Sequence, residues 1–181
     1  MPKALLLYAT THGHTAKIAT RVADTLRAAG LDAEVREVKA AGDADPRDFA
    51  ALIVGASLHA GHHQRPVVDW VKAHHAEFSG VPTAFFSVSL TAAEDSEEAR
   101  AATRKCIDDF RDETGWTPDV TEAVAGALQY REYDMFTRLL MRLKMRHDGH
   151  EADASQDHEY TDWDGVERFA RDFASRVRAA R

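Results

Sequence analysis

The chain has 181 residues, 44% of them apolar, which is enough to bury one sizeable core without a second domain. Its net charge of −7 is the wrong sign for a general nucleic-acid binder, whose phosphate contacts need a basic face. The only cysteine, Cys106, excludes an intramolecular disulfide; no apolar run approaches the roughly 20 residues that span a bilayer, and Met1-Pro2-Lys3 leads into a short apolar run rather than a secretory leader, so a cytoplasmic setting is expected.

Ala4-Leu5-Leu6-Leu7-Tyr8 is the continuous apolar run of a strand covered on both faces, and it ends at the polar turn Thr10-Thr11-His12-Gly13-His14-Thr15. From Thr15 onward Ile18, Val22 and Leu26 recur every four residues, predicting a helix, and Gly30 stands where a helix C-terminal glycine belongs. Asp32 to Val38 alternates as a second strand, and Ala50 to Ala56 is a third, fully apolar one. The polar stretch Ser57 to Arg65 reads as a loop.

Pro66 opens a helix carrying Val67, Trp70, Val71 and His74, and Thr83 to Val88 is a fourth buried strand. A third helix covers Glu97 to Thr114, Val120 to Leu128 is a fifth strand, and a last amphipathic helix starts at Trp163 with Thr161 or Asp162 as its cap. Five strands alternating with helices predict one α/β domain over residues 1–181, a doubly wound parallel sheet with helices on both faces. The long stretch between Leu128 and the last helix exceeds what this alternation needs and is expected to carry a function of its own.

Thr10-x-x-Gly13-x-Thr15 falls between the first strand and the first helix, where backbone N–H groups and the helix dipole bind a phosphate without basic side chains. The loop is neither G-x-G-x-x-G nor G-x-x-x-x-G-K-S/T, so a cofactor with a terminal monophosphate, FMN, fits better than a dinucleotide or a nucleoside triphosphate. Two more loops leave the same sheet edge and are expected to clasp an isoalloxazine ring. The cofactor-binding candidates are therefore Thr10, Thr11, His12, Gly13, His14 and Thr15; Ser57, Leu58, His59, Gly61 and His62; and Ser87, Val88, Ser89 and Leu90.

Ten histidines are many, but His74 and His75 fall on a helix whereas His59, His62 and His63 fall on a loop, and no H-E-x-x-H pattern or cysteine ligand set accompanies them. No metal is expected. The loop histidines are either solvated or placed to hydrogen-bond the ring or take a substrate proton. Cys106, beside Ile107 and Phe110, reads as a packed and unreactive thiol, and no catalytic residue is assigned.

The phosphate loop, Val54-Gly55-Ala56-Ser57 followed by Gly61-His62, Ala84-Phe85-Phe86-Ser87-Val88, Ala125-Gly126-Ala127-Leu128 with Tyr130 and Tyr133, and Tyr160-Thr161-Asp162-Trp163 together resemble the flavodoxin-like protoporphyrinogen oxidases of bacterial haem synthesis, also called quinone-dependent protoporphyrinogen IX dehydrogenases. The resemblance implies a flavodoxin-like five-stranded sheet of order 2-1-3-4-5 with a helical insertion at the fifth strand, here about Gln129 to Glu159. It also implies oxidation of protoporphyrinogen IX to protoporphyrin IX, with FMN passing electrons to a membrane quinone.

Within that insert Met135, Leu139 and Leu143 share one predicted helix face, and Arg138, Arg142 and Arg146 form a basic stripe beside it. Between Met135 and His147 four basic residues meet no acidic one, which points to an anionic partner. The arginines are expected to meet the porphyrinogen propionates or an anionic membrane surface from the cytoplasmic face, unless the helix simply packs its leucines on the core. Self-association is left open. Three rivals are an electron-transfer flavodoxin, disfavoured because the later loops offer no Trp or Tyr to stack on a flavin, a nicotinamide-dependent FMN quinone or azo reductase, and a flavodoxin-fold domain that binds no flavin and regulates a partner.

Overall fold

The computed structural model describes residues 1–42, 44, 45, 48–128 and 158–180. In chain order they form β1 (Lys3–Ala9), α1 (His14–Ala28), β2 (Asp32–Glu37), β3 (Ala51–His59), β4 (His62–His63), α2 (Arg65–His74), β5 (Thr83–Ser89), α3 (Glu97–Thr114), β6 (Val120–Ala125), β7 (Ala127–Leu128), β8 (His158–Glu159) and α4 (Trp163–Ala179). Strands β2-β1-β3-β5-β6 lie side by side and parallel. Counted among themselves, these five have the predicted 2-1-3-4-5 order, the flavodoxin-like arrangement.

Alternation along each strand feeds two cores. On one face Ala4, Leu6, Ile53 and Phe86 pack with Ile18, Val22 and Leu26 of α1 and with Phe169 and Phe173 of α4. On the other, Leu5, Leu7, Val54 and Phe85 pack with Val67 and Val71 of α2 and with Ile107 and Phe110 of α3. Burial on both faces explains why β1 reads as unbroken apolar sequence rather than as alternation. Gly55 is dictated by this packing: a Cβ there would sit 2.0 Å from Cζ of Phe86. Truncating Phe86 to Ala would cost about 3–5 kcal/mol.

Helix α1 ends as its glycine predicts. Gly30 has φ +82°, its N–H reaches the Arg27 carbonyl, and Leu31 N–H reaches the Leu26 carbonyl, each at 3.0 Å, with Leu26 and Leu31 both buried. That pair of bonds is a Schellman closure with its apolar contact. Asp162 caps α4, accepting Gly165 N–H at 2.9 Å.

The structure departs from the sequence reading in two places. The stretch expected as a loop from Ser57 instead continues β3 to His59, turns through Ala60 (φ +50°) and Gly61 (φ +82°), and returns as β4, pairing Leu58 with His63 and His59 with His62. Two consecutive positive φ angles make the tight turn whose twist suits a hairpin. The fifth strand, expected to run to Leu128, breaks at Gly126, after which β7 pairs antiparallel with β8, Ala127 opposite Glu159. The expected insert therefore shortens: its last two residues, His158 and Glu159, are paired strand. Among the described residues no helix is long and apolar enough to cross a membrane.

Candidate functional site

Adjacent strands β1 and β3 send their chains to opposite faces of the sheet, β1 into α1 and β3 through the β4 hairpin into α2. A crevice opens at such a reversal, outside the carboxyl ends of the strands. Its first wall is Thr10–Thr15. Gly13 holds φ +83° and its N–H donates to Thr10 Oγ1 at 2.9 Å, leaving the Thr10 hydroxyl proton to point elsewhere. No side chain caps α1, and its first turn holds no acidic residue. Unspent N–H groups and the positive end of the helix dipole therefore face the crevice, the donor set an anion requires.

The second wall is the β3–β4 hairpin. Gln64 joins it to the first: its Nε2 donates to Ser57 Oγ at 2.7 Å and to Thr11 Oγ1 at 3.1 Å. The Gln64 Oε1 is buried with no hydrogen-bond partner among the described residues, an acceptor left at the junction of the two loops. Sequence reasoning missed Gln64, because a lone glutamine before a helix has no distinctive pattern. His59 and His62 oppose each other across the turn and are exposed. His63 points inward instead, hydrogen-bonded to Ser87 Oγ at 2.8 Å and edge-on to Phe85 and Phe110. Burial pushes its pKa down to about 4, helped by the neighbouring His62, so the His63 ring is neutral near pH 7.

The third wall follows β5. Ser87 bonds His63, the Val88 side chain is buried in the α1/α4 core, Ser89 Oγ accepts Ala92 N–H at 3.2 Å, and Leu90 is 37% exposed. Gly126 N–H donates to the Ser89 carbonyl and its own carbonyl accepts Tyr160 N–H, so Tyr160, 40% exposed, comes to the same edge as Leu90. A Cβ on Gly126 would stand 3.2 Å from Cγ1 of Val88, so this crossing favours glycine.

The loops thus bring together Thr10, Thr11, Gly13, Ser57 and, through Gln64 and His63, Ser87. Leu58 lies opposite His63 in the hairpin, with Gly61 at its turn; His12 is half-buried in the first loop, and Thr15 is buried in the first turn of α1. His14 contributes its backbone to the first turn of α1, but its side chain turns from the crevice towards Thr161 and Trp163. Arg138, Arg142 and Arg146 lie outside the described residues. A shallow cleft between α1 and α4, lined by Arg21, Asp24, Glu167 and Arg171, shares none of these loops. Among the described residues no group of three or more His, Cys, Asp or Glu is arranged to hold a metal.

A doubly wound sheet of this order with an uncapped helix start at its reversal defines the flavodoxin class, and the flavodoxin-domain family matches residues 5–155. The solved structure of oxidised flavodoxin 1 from Bacillus cereus superposes with a TM-score of 0.57 over 96% of this chain and 97% of that one, at 14% identity, a likeness of fold. Two curated relatives are far nearer in sequence. Protoporphyrinogen IX dehydrogenase [quinone] of Leishmania major is 37% identical over 96% of this chain and 75% of its own length, and the Escherichia coli (strain K12) protein of the same name is 33% identical over 95% of this chain and 94% of its own. The chain belongs to this flavodoxin-like protoporphyrinogen IX dehydrogenase family and is an oxidoreductase.

Proposed function

We propose that the chain binds FMN in the crevice between β1 and β3 and uses it to oxidise protoporphyrinogen IX to protoporphyrin IX, passing the electrons to a membrane quinone. Likeness to the named relatives over some 95% of the chain carries the choice of substrate and acceptor, and family membership supports a flavin. The residues present suit FMN. Its phosphate would meet the N–H groups of the first turn of α1 with the hydroxyls of Thr10, Thr11 and Thr15, and a ribityl hydroxyl suits the unpartnered Gln64 Oε1. The ring would lie against the Ser57–His62 hairpin and the Ser87–Leu90 segment.

FMN, when bound, supplies the redox chemistry, and the protein positions it and excludes competing reactions. His63, neutral and half-buried, holds the second loop to the third through Ser87. His59 and His62, exposed on the hairpin, are available there to take up protons released from the porphyrinogen. Leu90 and Tyr160 offer an apolar lip for a macrocycle. The basic stripe Arg138, Arg142 and Arg146 serves the propionates or the membrane surface.

The purified protein should be yellow or turn yellow with FMN. Under anaerobic conditions protoporphyrinogen should bleach it and menaquinone restore the colour. A colourless chain that cannot take up FMN refutes the proposal, and bleaching by NADPH but not by porphyrinogen would replace it with a nicotinamide-dependent reductase. Changing Arg138, Arg142 and Arg146 together to Glu should spare FMN binding and lower turnover with membrane-bound quinone; unchanged turnover removes the arginines from the reading.

A further inference from the structure

The least expected polar cluster joins the first turn of α1 to the strand on which the chain returns from residues 129–157. His14 is 6% exposed and its Nε2 lies 2.7 Å from Thr161 Oγ1. The Thr161 hydroxyl has one proton, which is given to the Ala125 carbonyl at 2.7 Å. The bond to His14 therefore has Nε2–H as its donor, and the neutral ring carries no proton on Nδ1. That Nδ1 is buried without a hydrogen-bond partner among the described residues and faces Glu159 Oε2 at 3.8 Å. The other carboxylate oxygen, Oε1, accepts Trp163 Nε1–H at 2.7 Å, which turns this exposed side chain towards the ring.

Glu159 is one of the two residues of β8, and its ladder with β7 has only two pairs. So short a ladder depends on side chains for its seating. The ring is acted on by Glu159 from β8 and by Lys17 from its own helix, while α4 presents the uncharged Trp163 indole, over which Arg21 lies at 5.3 Å.

We propose that His14 is a positioning residue that fastens β8 to the first turn of α1, loosely while its ring is neutral and firmly once Nδ1 carries a proton and meets Glu159. Burial holds the ring's pKa below the ordinary histidine value, with Glu159 opposing and Lys17 assisting that depression, so the firm state is reached on the acid side. Because the same first turn offers its N–H groups to the crevice, seating of β8 is felt there. That last consequence rests on the FMN site proposed above, whereas the fastening itself does not.

The test is nitrogen-15 NMR of the imidazoles and of the Glu159 and Tyr160 amides in the full chain, with and without FMN. At pH 8 His14 should show the Nε2–H tautomer. On acidification the Glu159 and Tyr160 amides should shift with the His14 midpoint, and Glu159→Gln should move that midpoint down. His14→Gln keeps an N–H donor for Thr161 but cannot titrate, so these amide shifts should vanish in an intact fold. FMN affinity of the wild type should change by about fivefold through the His14 midpoint, and that of His14→Gln should stay flat across the same window. An Nδ1–H tautomer, a midpoint indifferent to Glu159→Gln, or strand amides blind to the His14 titration each overturn the proposal. Failure to bind FMN would defeat the cofactor reading and leave the tautomer and the Glu159→Gln shift to decide this one.

Discussion

Among the described residues four helices start at the same edge of the sheet, and they start in two ways. The outer pair is conventionally finished: Ser96 caps α3 with Glu97 and Glu98 in its first turn, and Asp162 caps α4 with Asp164. The inner pair, α1 and α2, flanks the reversal between β1 and β3 and has neither a side-chain cap nor an acidic first turn. Capping residues and early carboxylates cancel the positive end of a helix. The chain uses them where a helix only needs to be stable and omits them where two helix starts and a glycine turn converge on a crevice. The contrast leaves the positive helix ends uncancelled where the proposed phosphate site lies, which a motif alone does not reveal.

Finishing α1 in the way of α3 and α4 should abolish the difference. A Cβ on Gly13 meets nothing within 4 Å, and aspartate is among the residues that tolerate its positive φ, so Gly13→Asp should fold. A carboxylate about 4 Å from a phosphate charge costs about 4 kcal/mol at an effective dielectric near 20. FMN affinity, measured by flavin fluorescence quenching, should therefore fall about a thousandfold, with Gly13→Asn losing far less. Equal losses for both would mean that shape rather than charge sets the site.

The start of α2 is uncapped too, yet it is anchored just upstream by His63 under Ser87, and that anchor is expected to be the acid-sensitive part of the edge. Its folded-state pKa is about 4 against 6.5 for the free group. Between those values the unfolded chain takes up a proton that the folded chain refuses, so stability falls as pH drops from 6.5 and the loss is complete near 4. Full expression is worth about 3 kcal/mol. Denaturant unfolding of the wild type and of His63→Phe across this window should show the wild type losing that much more; parallel curves would mean that water reaches the ring.

How much of this was legible beforehand follows the range of each interaction. The strands, α1 with its closing glycine and the 2-1-3-4-5 order depend on local periodicity and on short connections, and were readable from residues such as Ile18, Val22, Leu26 and Gly30. The Thr10–Thr15 loop was readable as a donor-rich turn because its neighbours in sequence are its neighbours in space. The β4 hairpin was not, since Ser57 to His63 is polar and its turn is only Ala60-Gly61. Gln64 acts by joining Thr11 to Ser57, and the direction of the His14 side chain is set by Thr161, 147 residues away. No local pattern encodes either. The break at Gly126 depends on Val88 and Ser89 of a neighbouring strand, which β-propensity does not register.

The smallest expected effect comes from removing only the side-chain cap of an outer helix while its first-turn carboxylates stay. Ser96 Oγ accepts Ala99 N–H at 3.0 Å, and Ser96→Ala strands that donor beside two glutamates whose interaction with the dipole is unchanged. Loss of such a cap costs about 1 kcal/mol. In a chain of this size that lowers Tm by about 2–4 °C. FMN affinity should stay within about twofold, because α3 begins outside the reversal and its two remaining first-turn carboxylates still repel an anion. If uncapping α3 created a measurable FMN or phosphate site there, a bare helix start would suffice for binding by itself. Retention of binding at α1 alone is the expected outcome, since α3 keeps its two carboxylates and lacks the glycine turn, the threonine hydroxyls and the glutamine that surround the start of α1.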